Sequence, residues 1–307
     1  MSDEEHQVDE KRGPGRPRKY PERKPQPRYG IVNQPSDPKN HIEFLYNNPL
    51  FFKKIWQYFK IMAVEKVHLV FKKREILIWC EDHHKRTRMK VHIDCSKMNH
   101  YYCQQELDIG ILSANMELIM RTIDKSYTSI YFFSNKDAIH NYLEVVLQHD
   151  NGIEDNYRVQ LIGEYSTFAN TCNFDMENDF TIKLEMPSKH FKKRITDIKS
   201  LSDCITLRQD SVDDPLLFEY ISGDKKIKTH TVIKNSKEIK YVSTLKNDES
   251  FRITFGLDYV KPISSALVSD TIYIYAHENL PLMFVADMDN NAIQMKVLTQ
   301  IIDERAS

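Results

Sequence analysis

The chain has 307 residues, of which 41% are hydrophobic and 11% aromatic, so it can bury two cores of ordinary size and two domains are expected. No apolar run approaches the roughly 20 residues that cross a bilayer, which excludes a membrane-spanning helix. The formal net charge of -1 leaves nucleic acid open as a partner, because the distribution of Lys and Arg matters more than their sum.

Residues 1–40 are rich in Pro, Lys and Arg and poor in apolar side chains, which predicts a disordered arm. A Gly-Arg-Pro core flanked by basic residues resembles an AT-hook. Such an extended segment is narrow enough to lie in the minor groove of A·T tracts. The alternative is a generic basic tail or nuclear-import signal, which would also attract phosphates. The candidate DNA contacts of the arm are Lys11, Arg12, Gly15, Arg16, Pro17, Arg18 and Lys19.

Apolar spacing predicts four helices in the rest of the chain, at residues 48–62, 112–123, 188–201 and 255–267. Ser113 is a candidate N-cap of the second helix. Pro262 is expected to break or restart the fourth, because proline lacks the backbone N–H and clashes with the preceding turn.

Strand-like runs lie between these helices, including residues 67–71, 75–79, 88–93, 128–133, 142–147 and 157–161. The helices follow one another at about 60 residues in both halves, which suggests a duplication. The expected organisation is a disordered basic arm at 1–40, an N-terminal domain at 41–162, a connector at 163–179, a C-terminal domain at 180–303 and a tail at 304–307.

The first and third predicted helices carry a basic stripe beside the apolar one. The first contains no acid, and the stripe of the third is accompanied by the single acid Asp197. Such stripes are often only solvated surface, but a solvated face normally mixes both signs. Lys neutralises phosphate without base-specific geometry, so the pattern favours sequence-independent DNA contact. The candidates are Lys53, Lys54 and Lys60, with Gln57 and Tyr58 on the same face, and Lys189, Lys192, Lys193 and Lys199.

Motifs of catalytic and cofactor sites are lacking in the sequence. With only eight glycines, it contains no phosphate-binding loop. Ligand-type residues cluster at 80–84, but no second pair at zinc spacing lies nearby. We therefore expect a protein that is not an enzyme and holds no metal or cofactor. A search for sequence motifs would, however, miss a two-metal nuclease site whose carboxylates converge from separate strands. The five cysteines cannot all pair within one chain, which favours a reducing intracellular compartment.

Several short motifs between residues 45 and 303 occur together in one known family. Residues 255–259, 280–282 and 286–288 (FGLDY, LPL and ADM) resemble the last helix, a strand entry and a turn of proliferating cell nuclear antigen (PCNA), the ring-shaped DNA sliding clamp. Lys53, Lys54 and Lys60 match the spacing of the clamp's first channel helix, and residues 186–193 resemble the opening of its third. The basic arm with residues 48–53 and 99–102 is most similar to the PCNA-like proteins of African swine fever virus and related large DNA viruses.

The resemblance implies an α+β DNA-clamp fold of two similar domains, with paired helices on an inner face and antiparallel sheets outside. Three chains would close head to tail into a ring around double-stranded DNA. Tyr157 and the strand at 225–233 are the interface candidates, although Tyr157 could equally be an ordinary strand aromatic. In the fourth helix, Asp258 and Pro262 weaken the basic lining that the family has.

The resemblance also implies a pocket in which clients, such as DNA polymerase and other replication or repair proteins, insert a short apolar motif. Its candidate residues are Pro281, Leu282, Leu298 and Ile301. Residues 81–87 should complete the pocket, but they are charged here where the family is partly apolar. The choice of clients is therefore expected to differ from that of the family.

The main hypothesis is a homotrimeric sliding clamp that tethers viral replication proteins to DNA, acting inside the host cell at a cytoplasmic replication site or in the nucleus. One alternative is a clamp-like late transcription factor or adaptor that does not encircle DNA. Another is an architectural DNA-binding protein driven by the AT-hook-like arm. A ring should resist salt on circular DNA, whereas an arm-driven binder should lose affinity steeply with salt.

Overall fold

The computed structural model describes residues 30–163, 174–222, 228–266 and 269–302. Its helices are α1 Pro49–Ile61, α2 Ser113–Thr122, α3 Ser188–Lys199 and α4 Leu257–Ala266, as the apolar spacing predicts. The strands of the N-terminal half are β1 Gly30–Ile31, β2 Asn40–Tyr46, β3 Val64–Phe71, β4 Glu75–Asp82, β5 Thr87–Asp94, β6 His100–Cys103, β7 Leu107–Leu112, β8 Tyr127–Asn135, β9 Tyr142–His149 and β10 Glu154–Ile162. Those of the C-terminal half are β11 Ile182–Pro187, β12 Cys204–Gln209, β13 Leu216–Ile221, β14 Lys228–Ile233, β15 Lys240–Ser243, β16 Phe251–Gly256, β17 Thr271–Ala276, β18 Leu282–Met288, β19 Ile293–Thr299 and β20 Ile301–Ile302.

The two halves repeat one order of elements. From β2 to β10 and again from β11 to β19, the chain forms a strand, a helix, five strands, a helix and three strands. The pairing repeats as well, since β2 pairs with β6 and β8, and β11 pairs with β15 and β17. The helices α1 and α3 share the tripeptide Phe-Lys-Lys, at residues 52–54 and 191–193. The structure thus agrees with a duplication.

The strands form two sheets, and the larger one joins the halves. The larger runs in the order β1-β6-β2-β8-β9-β10-β7-β3-β4-β5-β19-β18-β17-β11-β15, and the smaller in the order β14-β13-β12-β16-β20. The larger sheet crosses between the halves where β5 pairs antiparallel with β19, from Ile93 opposite Ile293 to Thr87 opposite Thr299. Backbone hydrogen bonds therefore continue through the junction of the two halves.

The helices form one layer in the order α2, α1, α4, α3. α1 packs against α2 and α4, and α3 packs against α4. Their apolar sides are buried in the main core, to which α1 contributes Phe52, Ile55, Trp56 and Phe59. The opposite, exposed side of this layer is the place to look for a charged interface.

Two local expectations were wrong. Ser113 is the first residue of α2, and Leu112, which is still extended, occupies the N-cap position because β7 leads directly into the helix. Pro262 does not interrupt α4, which continues to Ala266. Only one intrahelical hydrogen bond is lost at a proline, and the fully buried Val260 and Ile263 hold the helix on both sides of it.

A buried carboxylate fixes the segment through which the chain enters the folded body. The side chain of Glu43 is fully buried and accepts hydrogen bonds from Nε2 of His100 at 2.6 Å, from Nδ2 of Asn40 at 2.7 Å and from the backbone of Ser36 and Asp37 at 2.9 and 3.2 Å. Burial alone would raise the pKa of Glu43, but these donors outweigh it and lower the pKa to about 2.

We expect Glu43→Gln to lower the free energy of unfolding at neutral pH by roughly 3 kcal/mol, because the folded state favours the ionised carboxylate. Because the pKa of Glu43 is lowered in the folded state, this carboxylate stabilises the fold at pH values above its ordinary pKa of 4.5. The contribution disappears as the pH falls towards about 2. The difference between the variant and the natural chain should therefore shrink over that interval in denaturant titrations. Glu106→Gln, a change of an exposed carboxylate, serves as the control; equal losses from both changes would contradict the assignment.

Candidate nucleic-acid interface

The most strongly basic exposed surface of the helix layer lies on α3. The apolar side chains Phe191, Ile195 and Ile198 are buried, which turns the remaining positions outward. No acid occupies the first turn of α3. The exposed cations of this helix are Lys189, Lys192, Lys193 and Arg194, and none of them forms an ion pair with another described residue.

Arg194 was missing from the sequence prediction. It follows Lys193 and lies at the edge of the exposed face, outside the stripe on which that prediction depended. The buried Phe191 and Ile198, three and four positions away, are its neighbours on the surface of the helix. Including every basic residue outside the apolar stripe, and not only those at helical spacing, would have found it.

The last lysine of each long helix is committed to a contact between helices. Lys60 of α1 donates to Glu117 of α2 at 2.6 Å, which lowers the pKa of that carboxyl. Lys199 of α3 lies 2.5 Å from a carboxylate oxygen of Asp203 and 2.8 Å from one of Asp258 on α4, and these hydrogen bonds raise its pKa. Both residues were predicted to contact DNA, but their charge is compensated within the chain.

The other two lysines of α1 differ from each other in their contacts. Lys53 is half-buried, and its Nζ donates to the backbone oxygen of Ile123 at 2.6 Å, beside the end of α2. Lys54 is exposed and has no ion pair among the described residues. Of the three lysines predicted to contact DNA from α1, Lys60 is ion-paired, Lys53 is held by backbone carbonyls, and Lys54 has neither contact among the described residues.

Tyr58 was placed on the exposed face of α1, and this was wrong. Its side chain is 1% exposed and packs in the core, and no described group bonds its hydroxyl. Burial raises the pKa of Tyr58 well above its ordinary value. Between Ile55 and Phe59, position 58 lies close enough to the apolar stripe of the helix for a large ring to turn inward.

The candidate arm contacts between Lys11 and Lys19 lie outside the described residues. The described chain begins at Gly30, whose strand β1 pairs parallel with β6. This pairing fixes the point at which the arm joins the folded body.

A groove of about 670 Å³ lies beside the end of the described chain. Of the residues predicted to form a client pocket, Pro281 and Ile301 line this groove, and Leu282 and Leu298 do not. Leu282 opens β18 and is buried in the main core, and Leu298 of β19 belongs to a cluster on the opposite face of the sheet. The remaining lining residues are largely polar: Ser250, Arg252, Ile253, Thr254, Glu278, Asn279, Leu280, Gln300 and Ile302.

The charged turn at 83–86 is joined to both the groove and α4. The backbone N–H of Gln300 donates to the carbonyl of Arg86 at 3.1 Å. The guanidinium of Arg86 donates to the hydroxyl of Tyr259 at 3.1 Å and lies 5.9 Å from the centre of its ring. The turn adjoins the groove but does not line it, so its charge lies at the rim.

The described part of the connector is anchored on the outer face of the larger sheet. Phe174 is 2% exposed and meets Trp79 edge to face, with ring centres 5.5 Å apart. Lys296, which is almost buried, donates to the carbonyl of Phe174 at 2.9 Å and pairs with Glu177 at 2.5 Å. The side chain of Lys296 therefore holds the described part of the connector at both Phe174 and Glu177.

Two of the open strand edges among the described residues belong to the strands of the predicted subunit interface, β10 and β14. β10 pairs with β9 from Glu154 to Gln160, and its other side meets β7 only at Leu161 and Ile162. β14 pairs with β13 alone and ends the smaller sheet. Tyr157 lies half-buried on the open stretch of β10 and packs against the main core. The apolar residues Ile153 and Val232 are 57% and 42% exposed at these two edges.

Within the described ranges, no group of three His, Cys, Asp or Glu residues could hold a metal ion. None of the helices described is long and apolar enough to cross a membrane. Four cysteines, Cys80, Cys95, Cys103 and Cys204, are present as free thiols.

Comparison with known proteins gives one consistent picture. Residues 175–301 match the sequence model of the proliferating cell nuclear antigen C-terminal domain. The chain is 27% identical over 299 residues to an uncharacterized protein of African swine fever virus, covering 95% of this chain and 97% of that protein. It is 21% identical over 271 residues to proliferating cell nuclear antigen of Saccharomyces cerevisiae, covering 86% and 99%. The crystal structure of the Entamoeba histolytica antigen superposes with a TM-score of 0.70 at 12% identity, covering 86% of this chain and all of that one. The α+β clamp fold expected from the sequence is confirmed.

Proposed function

We propose that this PCNA-like protein is a DNA sliding clamp. In this proposal, three copies encircle duplex DNA and tether replication proteins to it. The protein performs no chemistry of its own in this proposal. Because the ring encircles the DNA, its own contacts with DNA can be weak and mobile. A polymerase tethered to the ring gains effective concentration at the DNA. The uncompensated cations of α3 and Lys54 of α1 face the DNA, and the basic arm adds contacts in the minor groove.

The proposal rests on a correspondence between two strands that pair inside the chain and two strands whose edges are open. In the duplicated order of elements, β10 corresponds to β19 and β14 to β5. Within the chain, β19 pairs with β5 over seven residues. Their counterparts β10 and β14 are open on the corresponding sides within the described residues. Pairing β10 of one copy with β14 of the next repeats the internal junction, and repetition of one rotation closes a ring.

The experiment that tests the proposal has two parts. Light scattering over a range of concentrations should give a mass near three times the 36.3 kDa of the chain. The same preparation should remain on circular duplex DNA in high salt and be released when the DNA is linearised. A persistent monomer would contradict the clamp and favour the adaptor, whereas equal release from circular and linear DNA would favour arm-driven binding.

A further inference from the structure

The outer face of the smaller sheet carries a cluster of cations around one buried carboxylate. Side chains at alternate positions of its strands face the main core, to which β12 contributes Leu207 and β16 contributes Ile253. Arg208, Glu219 and Arg252 lie at outward positions on the adjacent strands β12, β13 and β16. Their side chains therefore share the face that is turned away from the core.

Three cations share the carboxylate of Glu219. Nη1 of Arg208 lies 3.3 Å and Nζ of Lys228 3.2 Å from Oε1 of Glu219. Nη2 of Arg252 lies 3.7 Å from the other oxygen. Burial alone would raise the pKa of Glu219, but Lys228 and the two arginines outweigh it and lower the pKa. Arg208 also pairs with Asp210 at 2.6 Å, so the cluster has three cations and two carboxylates among the described residues.

The strand register places Arg208 and Arg252 directly opposite each other. They are partners in the antiparallel pair of β12 and β16. Like charges at opposed positions destabilise a sheet, and Glu219 can compensate only one of the three cations that it contacts. The side chains of Arg208 and Arg252 are 33% and 50% exposed, so a further anion can reach both from the solvent. This arrangement favours the binding of an anionic group on the outer face.

The groove beside the end of the described chain adjoins this cluster. Arg252 lines the groove, together with Thr254, which lies two positions further along β16 and on the same face. The hydroxyls of Thr254 and Thr206 are 2.8 Å apart, which joins the wall of the groove to β12, the strand of Arg208. Glu278 is the single acid among the described residues that line the groove. A segment bound in the groove therefore meets the cluster on one side.

We propose that Arg208 and Arg252 form a carboxylate-binding subsite beside the groove, and that the client segment bound in the groove carries an acidic residue next to its apolar motif. The inference rests on the proposed function, because it concerns the clients that the clamp tethers. Arginine fits this role, since its planar guanidinium can bond both oxygens of a carboxylate at once. The occupant is thus a segment of a partner protein with Asp or Glu beside apolar residues. A segment with Lys or Arg at the same place is repelled.

Selection of peptides tests the chemistry of the client directly. Random peptides displayed on phage are bound to the immobilised full-length protein in the presence of excess short duplex DNA, which competes for the cations of α3. The selected peptides should carry Asp or Glu next to an apolar stretch. A synthetic copy of the best peptide should lose about fivefold in affinity when its acidic residue is changed to Gln, as measured by fluorescence anisotropy. Failure to select any peptide, or selection of peptides without acidic residues, would overturn the inference.

Two matched variants locate the subsite. Arg252 lies 3.7 Å from Glu219, and Lys240 on β15 lies 3.6 Å from Glu185, so neutralising either exposed cation removes a similar ion pair. Arg252→Gln should weaken binding of the acidic peptide about fivefold, whereas Lys240→Gln should leave it within twofold, and thermal melts should show both variants folded. Arg252→Glu should instead prefer a copy of the peptide with Lys in place of its acidic residue. Equal effects of Arg252→Gln and Lys240→Gln would contradict the assignment of the subsite.

Mass and retention on circular DNA, measured on the natural chain, separate this inference from the clamp. If the protein is a salt-resistant trimer on circles but the selected peptides are not acidic, only the subsite is refuted. If the protein is monomeric and Arg252→Gln selectively loses the acidic peptide, the subsite stands and the clamp proposal fails.

Discussion

Replacing Lys192 and Lys193 together by glutamate should lower the affinity for duplex DNA by roughly 30-fold or more at moderate salt, because each copy loses two phosphate contacts and gains two repelling charges. Both side chains are exposed on α3, and neither forms an ion pair among the described residues. No native contact is therefore broken, and the mass and the melting temperature should not change. Fluorescence anisotropy across a salt series should also show a flatter dependence of affinity on salt.

Two comparisons make this result specific to the helix layer. Lys39→Glu with Lys85→Glu makes the same charge change at exposed sites on other elements and should alter affinity little. Lys199→Ala should instead lower the free energy of unfolding by about 1 kcal/mol, since it removes the pairs with Asp203 and Asp258. Loss of DNA binding in Lys199→Ala as large as in the α3 double variant would mean that pairing does not decide which lysines contact DNA.

The elements of the fold were predictable because local patterns determine them. The positions of Phe52, Ile55, Trp56 and Phe59 define the buried face of α1 without knowledge of its partners. Order and spacing of helices and strands likewise made the duplication visible. The match of short motifs then supplied what local patterns cannot, namely how the strands are arranged in sheets.

The state of each lysine was not predictable, because the partner lies on another helix. Lys60 and Lys199 look like Lys54 and Lys193 in the sequence, but Glu117 and Asp258 reach the first two from α2 and α4. Such distant pairs follow only from how the helices pack. A run of lysines therefore predicts a basic helix, but not which of its charges are free.

The groove shows the same limit for apolar residues. Leu282 and Leu298 are close to Pro281 and Ile301 in sequence, but successive residues of a strand point to opposite faces of the sheet. Leu282 thus faces the main core, and Leu298 faces the cluster around Trp79 and Phe174. That clients differ from those of the family stays a prediction.

Tyr157→Ala should convert the proposed trimer into monomers at low micromolar concentration. Truncating a half-buried aromatic at the centre of an interface typically costs roughly 2 kcal/mol or more, or about 30-fold in affinity, at each of the contacts that close a ring. Tyr241→Ala is a matched control, because Tyr241 is also a half-buried tyrosine that packs against the main core from an edge strand, β15. Both variants lose similar core contacts, so their melting temperatures should fall alike, but only Tyr157→Ala should lower the mass seen by light scattering. If the two variants remain trimeric, or dissociate equally, β10 is not the strand that joins one copy to the next.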